Sequence, residues 1–339
     1  MESTQISLGI VVALVLVALA FDFMNGFHDA ANSIATVVST GVLKPHQAVA
    51  LAAIFNFVAL FVFHLNVATT VGKGIVDQGI IDHYVVFGAL VGAIAWNIIT
   101  WYYGIPSSSS HALIGGIVGA GVAKAGTWAL IPAGILKVVA FIFISPLIGF
   151  VLGSLLLLAI SWIFVRSTPS RVDRLFRRLQ LFSSSLYSLG HGGNDAQKTI
   201  GIIWMLLVAT GHAGVDDASP PYWVVIACYL AIGLGTLFGG WRIVKTMGQR
   251  ITKVRPVGGF CAELSGSIAL FTATGFGIPV STTHTIAGAI VGIGSAQNVS
   301  AVRWGIAGNL VWAWVLTIPC SAFIAGAAWY LGRILLSSP

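Results

Sequence analysis

Residues 104–121 and 277–294 are one segment written twice. GIPSSSSHALIGGIVGAG and GIPVSTTHTIAGAIVGIG agree at ten of eighteen positions without a gap. A second pair, NGFHDAANSI at 25–34 and HGGNDAQKTI at 191–200, keeps Gly, Asp, Ala and Ile in register and follows the same order along the chain. Two matches in matching order mark two copies of one folding unit. Both copies lie within long apolar stretches, and composition says what surrounds them. Of 339 residues, 57% are apolar or aromatic and 8% are charged, against roughly 25% charged in an ordinary soluble domain. Such a chain cannot clothe a water-facing surface, which excludes a soluble fold, a disordered chain and a secreted disulfide scaffold. What remains is an all-α polytopic membrane protein. Helices are favoured over a barrel because ~10-residue alternating segments are missing.

Each half reads as the same series. The first repeat (1–165) has a segment broken by an Asp motif (6–40), a span (45–65), a helix–turn–helix hairpin (84–123) and a long Pro-containing segment (127–165). The second (181–339) repeats it at 181–212, 222–241, 256–298 and 301–335, after a basic linker at 166–180. If each hairpin re-enters on one side, each half crosses three times, and an odd count inverts the second copy. Ten of the seventeen basic residues fall in two stretches, Arg166–Arg178 and Arg242–Arg255. Placing both in the cytoplasm puts Lys44 and Arg303 inside as well, with Asp77, Asp82, Asp216 and Asp217 outside, as the positive-inside tendency requires. Both termini then lie outside. The net charge of +7 is thereby assigned to anionic membrane lipid rather than nucleic acid.

Polar side chains at membrane depth are costly and are functional candidates. The first broken segment carries Asn25, His28, Asp29, Asn32, Ser33 and Thr36; its partner carries His191, Asn194, Asp195, Gln197, Lys198 and Thr199. A single such residue serves helix packing, but six in each half exceed that need. The hairpin tips supply a second element. Ser107–Ser110 and Ser281-Thr282-Thr283 follow a Gly-Ile-Pro turn and open a helix. Free N–H groups, the positive end of the helix dipole and clustered hydroxyls together suit an oxyanion. One hydroxyl would be an ordinary N-cap; three or four in a row are more than a cap. Half-helix ends aimed at a shared point describe a secondary transporter. Asp29 and Asp195 would repel a dianion and Lys198 offsets only one charge, so cations or protons must bind with the anion. No GxxxxGK[ST] loop, HExxH or G-x-S-x-G is present, which argues against ATP-driven transport and against an enzyme.

At these residues the chain resembles the PiT family of inorganic phosphate transporters. The family's second signature stands intact as Gly192-Gly193-Asn194-Asp195-Ala196-Gln197-Lys198-Thr199, and its first is matched by Gly26-Phe27-His28-Asp29-Ala30-Ala31-Asn32-Ser33. The resemblance implies an inverted-repeat fold, a homodimer, no cofactor, and phosphate held between the hairpin tips and the Asp motifs. The expected substrate residues are Ser108, Ser109, Ser110, Ser281, Thr282 and Thr283, with Asp29, Asp195, Lys198 and Thr199. Asn25, His28, Asp29, Asn32, Asn194 and Asp195 are the expected coupling-ion residues. His28 stands where sodium-coupled members have Asn. The NGFHD form resembles bacterial members thought to move phosphate with protons, often as a neutral complex with a divalent metal. Imidazole titrates near neutral pH, which favours H+ over Na+, although Asn194 keeps a sodium site open. Sulfate, another tetrahedral oxyanion, and a passive anion channel are the competing readings.

Overall fold

A computed structural model describes residues 7–214, 217 and 219–336. Asp216 and the outermost residues of both termini lie outside that range. The first half comprises α1 (Leu8–Ser39), α2 (Pro45–Val58) with a 3-10 turn (Ala59–Phe61), α3 (Asn66–Gly74), α4 (His83–Tyr103), α5 (Ser109–Ala125) and α6 (Pro132–Ile163). The second comprises α7 (Pro169–Ala209), α8 (Tyr222–Phe238), α9 (Trp241–Lys245) with a π-helical turn (Thr246–Arg250), α10 (Pro256–Gly275), α11 (Thr282–Gln297) and α12 (Trp304–Leu336). Among the described residues five helices are long and apolar enough to cross a membrane, or seven if each of two bent pairs is one span. The chain is an all-α multi-pass membrane protein.

The two re-entrant hairpins are built alike. Gly104 (φ 65°) and Gly277 (φ 64°) reverse the chain in the left-handed region. Pro106 and Pro279 then bar helix until Ser108 and Ser281, whose hydroxyls cap the next helix by accepting from the backbone N–H of His111 and His284, both at 3.2 Å. The halves interlock through these hairpins. On α5, Gly115 and Gly119 press on the carbonyls of Ile318 and Ala322 in α12; on α11, Gly288 and Gly292 press on Pro146 and Phe150 in α6. A Cβ at any of the four would collide with backbone, so small residues spaced by four set the contact.

Three expectations change. The Asp segments 6–40 and 181–212 are not broken: α1 and α7 run unbroken for 32 and 41 residues. Asp22, Asn25, Asp29, Asn32 and Thr36 follow 3-4-3-4 spacing and share one helix face, so their polarity is met sideways by other helices while the backbone ladder survives. The breaks fall one element later, with bends of 84° between α2 and α3 and 61° between α8 and α9. Each bend wraps the opposite hairpin tip. Asn66 Nδ2 donates to Gly275 O at 3.0 Å, and Thr246 Oγ1 donates to Gly104 O at 3.0 Å. The tip of one repeat thus fixes the broken helix of the other. Next, 166–180 is no linker: from Pro169 it is the start of α7, with Phe176 buried beneath its arginines. Finally, Arg242–Arg250 is helical rather than loop, and Arg242 stacks on Trp101 and Tyr102 at 5.2 and 5.1 Å from the ring centroids.

Candidate substrate and coupling-ion site

The unbroken motif helices lay their polar faces against the hairpin tips, and the two halves meet at Asp195. Lys198, one turn on, donates from Nζ to Asp195 Oδ1 at 2.6 Å, to Val280 O at 2.8 Å and to Ser110 Oγ. Thr282 Oγ1 donates to Asp195 Oδ2 at 3.2 Å. Ser110 belongs to the first hairpin and Thr282 to the second, so one carboxylate–ammonium pair holds both tips. From the other motif helix, Asn32 Nδ2 reaches Thr283 Oγ1 at 2.9 Å and Thr282 Oγ1 at 3.3 Å. His111 and His284 stand edge to face behind the tips, ring centroids 4.7 Å apart, and Trp314 stacks on His284 at 4.1 Å. All of these residues are buried.

The carboxylate of Asp29 comes from the opposite half to the same place. Asp29, His191 and Asp195 each offer a ligand atom within 4.8 Å of the other two, a set of two carboxylates and an imidazole that suits a divalent or transition cation. His191 shows what this group requires. Thr236 Oγ1 donates to Ile232 O and accepts from Asn56 Nδ2, which turns Asn56 Oδ1 toward His191 Nδ1 at 3.1 Å. Nδ1 therefore carries the hydrogen. His191 Nε2 lies 3.2 Å from Asp195 Oδ2 without making a hydrogen bond. At that distance the two groups form an ion pair when the imidazole carries its second proton.

On the first motif, His28 Nδ1 lies 2.6 Å from Asp29 Oδ1 and Nε2 lies 3.1 Å from Thr100 Oγ1, near the first hairpin tip. Thr100 Oγ1 also lies 3.0 Å from Trp96 O and accepts from Ser107. With the Thr100 hydrogen on Nε2 the imidazole is neutral; with it on Trp96 O the imidazole donates from both nitrogens. The same heavy-atom positions accept either protonation state.

Several expected residues have other partners. The hydroxyls of Ser108 and Ser281 cap helices, whereas Ser109 Oγ is buried with no partner. Thr199 donates to Asp22 Oδ1 at 2.9 Å rather than to a hairpin tip. Asn194 Nδ2 donates to Thr274 Oγ1 at 3.0 Å, leaving Oδ1 buried and unpartnered; Asn25 Oδ1 is likewise unpartnered. Thr100, Thr274 and Asn56 carry no signal in the sequence as site residues. Gapless alignment of the hairpins puts Ala273 opposite Thr100, so a one-residue shift hides the pair. Glu263, a lone acid in the second hairpin that the sequence leaves open as a proton or cation site or as the partner of a basic residue, accepts from Thr36, Gln180 and Ser183 and joins α10 to both motif helices.

The profile of the Phosphate transporter family matches residues 25–325. The chain belongs to that family. A Rhizobium meliloti (strain 1021) protein described as a "probable low-affinity inorganic phosphate transporter" is 60% identical over 326 residues, which is 96% of this chain and 97% of that one. A Bacillus subtilis (strain 168) protein of the same description is 47% identical over 330 residues, 96% of this chain and 98% of that one. The solved structure described as "the sodium-dependent phosphate transporter" superposes with a TM-score of 0.88 at 23% identity, covering 97% of this chain and all of that one. It shares the fold. Membership makes this chain a membrane transporter, not an enzyme.

Proposed function

We propose that this family member is a symporter that carries inorganic phosphate across the cytoplasmic membrane with protons. One observation carries the reading: both hairpin tips and both motif carboxylates converge on Asp195, where the fixed charges do not balance an anion. Asp29 and Asp195 face a single Lys198, and a phosphate dianion adds to the deficit. Phosphate oxygens take hydrogen bonds from the Ser109, Ser110, Thr282 and Thr283 hydroxyls and from the exposed N–H groups of α5 and α11. His28 suits proton coupling because its contacts to Asp29 and Thr100 hold in both protonation states. The His191–Asp195 approach supports a co-bound cation, either a divalent metal travelling as a phosphate complex or a proton. In the membrane, the basic ends of α7 and α9 lie inside and both termini outside.

A second reading has its own support. Asn194 keeps the family amide with a free Oδ1, and the matching fold is described as sodium-dependent; both favour a sodium ion at the second motif. Reconstitution in proteoliposomes decides. Labelled phosphate should accumulate under an inward proton gradient in the presence of excess sulfate. Accumulation under a sodium gradient alone overturns proton coupling. Equilibration indifferent to either gradient makes the protein a channel, and equal displacement by sulfate makes it a general oxyanion permease.

A further inference from the structure

Away from the transport site, two cavities lie one above the other along the seam of α6, α11 and the start of α12. The deeper one, about 420 Å3, is apolar and is lined by Phe143, Leu147, Phe150, Val291, Val311 and Trp314 among others. Its walls are set by two close helix contacts: α11 is pressed to α6 by Gly288 and Gly292, and α12 meets α5 at Ile318 and Ala322. Ahead of Trp314, which stacks on His284 of α11, α12 begins with two glycines. Added Cβ atoms at Gly305 and Gly308 would meet nothing within 4 Å, so this stretch leaves the groove open. The second cavity, about 690 Å3, lies at the helix ends and is lined by Lys253, Arg255 and Arg303 together with Gln249, Thr252 and Gln297. Three cations line it, with no carboxylate among the described lining residues.

The two cavities are neighbours, since Arg303 lines the basic one and Trp304 the apolar one. On α6 they are offset by seven positions, from Phe150 to Leu157, about two turns or ~10 Å. A cationic basin at a membrane boundary, with an apolar slot directly beneath it, matches a phosphodiester headgroup and its acyl chain. The geometry points to a specific site for an anionic phospholipid, its headgroup on Lys253, Arg255 and Arg303 and one chain in the α6–α11–α12 groove. Basic pockets between membrane helices bind such headgroups, each cation adding roughly a fivefold preference near the surface. The back wall connects this site to transport: Trp314 faces the groove, stacks on His284 and donates from Nε1 to Pro106 O at 3.3 Å.

The test is native mass spectrometry of the full chain, released from detergent with phosphatidylglycerol or phosphatidylcholine added. The chain should retain phosphatidylglycerol at least tenfold better. Lys253→Gln with Arg255→Gln, both exposed side chains, should remove most of that preference. Gly308→Trp, which fills the groove without a backbone clash, should lower retention of phosphatidylglycerol with the cations intact, and melting temperatures near that of the parent protein would show that both variants fold. Equal retention of the two lipids overturns the site, as does a preference that survives both variants. Displacement of phosphatidylglycerol by millimolar inorganic phosphate would make the basin a free-anion site. Conversion of a dimer to a monomer by Gly308→Trp with lipid retention unchanged would make the groove an interface between copies.

Discussion

His28 and Asn194 occupy equal places in the two motifs and do the same structural work by different chemistry. Each reaches a threonine near the tip of its own half's hairpin: His28 Nε2 lies 3.1 Å from Thr100 Oγ1, and Asn194 Nδ2 lies 3.0 Å from Thr274 Oγ1. Beyond that anchor they diverge. The second nitrogen of His28 is spent on Asp29 at 2.6 Å, whereas the amide oxygen of Asn194 stays free. The neighbouring carboxylates diverge too. Asp29 is partnered by the His28 imidazole, and Asp195 by His191 and by Lys198, a buried amine with three acceptors. One half of the inverted pair thus sets an imidazole alone beside its carboxylate and the other an imidazole and a lysine, so the repeats are alike in frame and unlike in electrostatics.

The strongest test of that difference is Asp195→Asn. Uptake of labelled phosphate should be lost, and because Lys198 is left as an uncompensated buried charge, the protein should lose about 3–5 kcal/mol of stability. The double variant Asp195→Asn/Lys198→Met removes both charges and should recover most of the melting temperature while uptake stays absent. Recovery of uptake in the double variant would remove Asp195 from the substrate and ion site and leave it a structural residue. Asp29→Asn should also abolish uptake, but with a much smaller loss of stability, about 1 kcal/mol, since a neutral His28 can still donate to the new amide oxygen. Equal stability losses at the two positions would erase the proposed asymmetry.

The hairpin tips were legible because everything that shapes them is local: Gly104 and Gly277 turn the chain, the prolines stop helix and Ser108 and Ser281 restart it. In the motif helices polar density does not mark a break. The 3-4-3-4 spacing from Asp22 to Thr36 was visible and indicates a polar stripe on an intact helix; what could not be seen was that Thr100, Thr199, Glu263 and Thr283 on other helices would meet it. The true breaks differ in the same way. Gly239-Gly240 is a local signal for the bend after α8, but the bend before Asn66 has no glycine and is held by the carbonyl of Gly275, 209 residues away. The site's residue types were readable for the same reason, while Asn56 and His191 acquire their roles only from a contact across 135 positions.

His28→Asn makes the first motif resemble the second. The new amide can keep the bond to Thr100 and gives up the contact with Asp29, so the fold should persist with a change in melting temperature of about 1 kcal/mol or less. Proton-driven uptake should fall roughly tenfold, as expected when a charge-assisted hydrogen bond is lost, and sodium should now stimulate what remains. Unaltered dependence on both gradients would make His28 an anchor for the hairpin and nothing more.

The smallest expected effect separates the two anchors themselves. Thr100→Val removes a hydroxyl that serves both His28 Nε2 and Ser107 Oγ, leaving two buried polar atoms short of a partner. Thr274→Val strands only the amide of Asn194, which keeps a second acceptor in Ile278 O at 3.3 Å. Unsatisfied buried groups each cost about 1–3 kcal/mol, so Thr100→Val should destabilise the protein by about 1 kcal/mol more than Thr274→Val. Phosphate half-saturation should rise in the same order, since that hydroxyl joins His28 of the motif to Ser107 of the first hairpin tip. Paired thermal unfolding and uptake measurements read both quantities. If the order is reversed, the second anchor carries more of the load than its contacts indicate, and the asymmetry lies in the hairpins rather than in the partners of the two carboxylates.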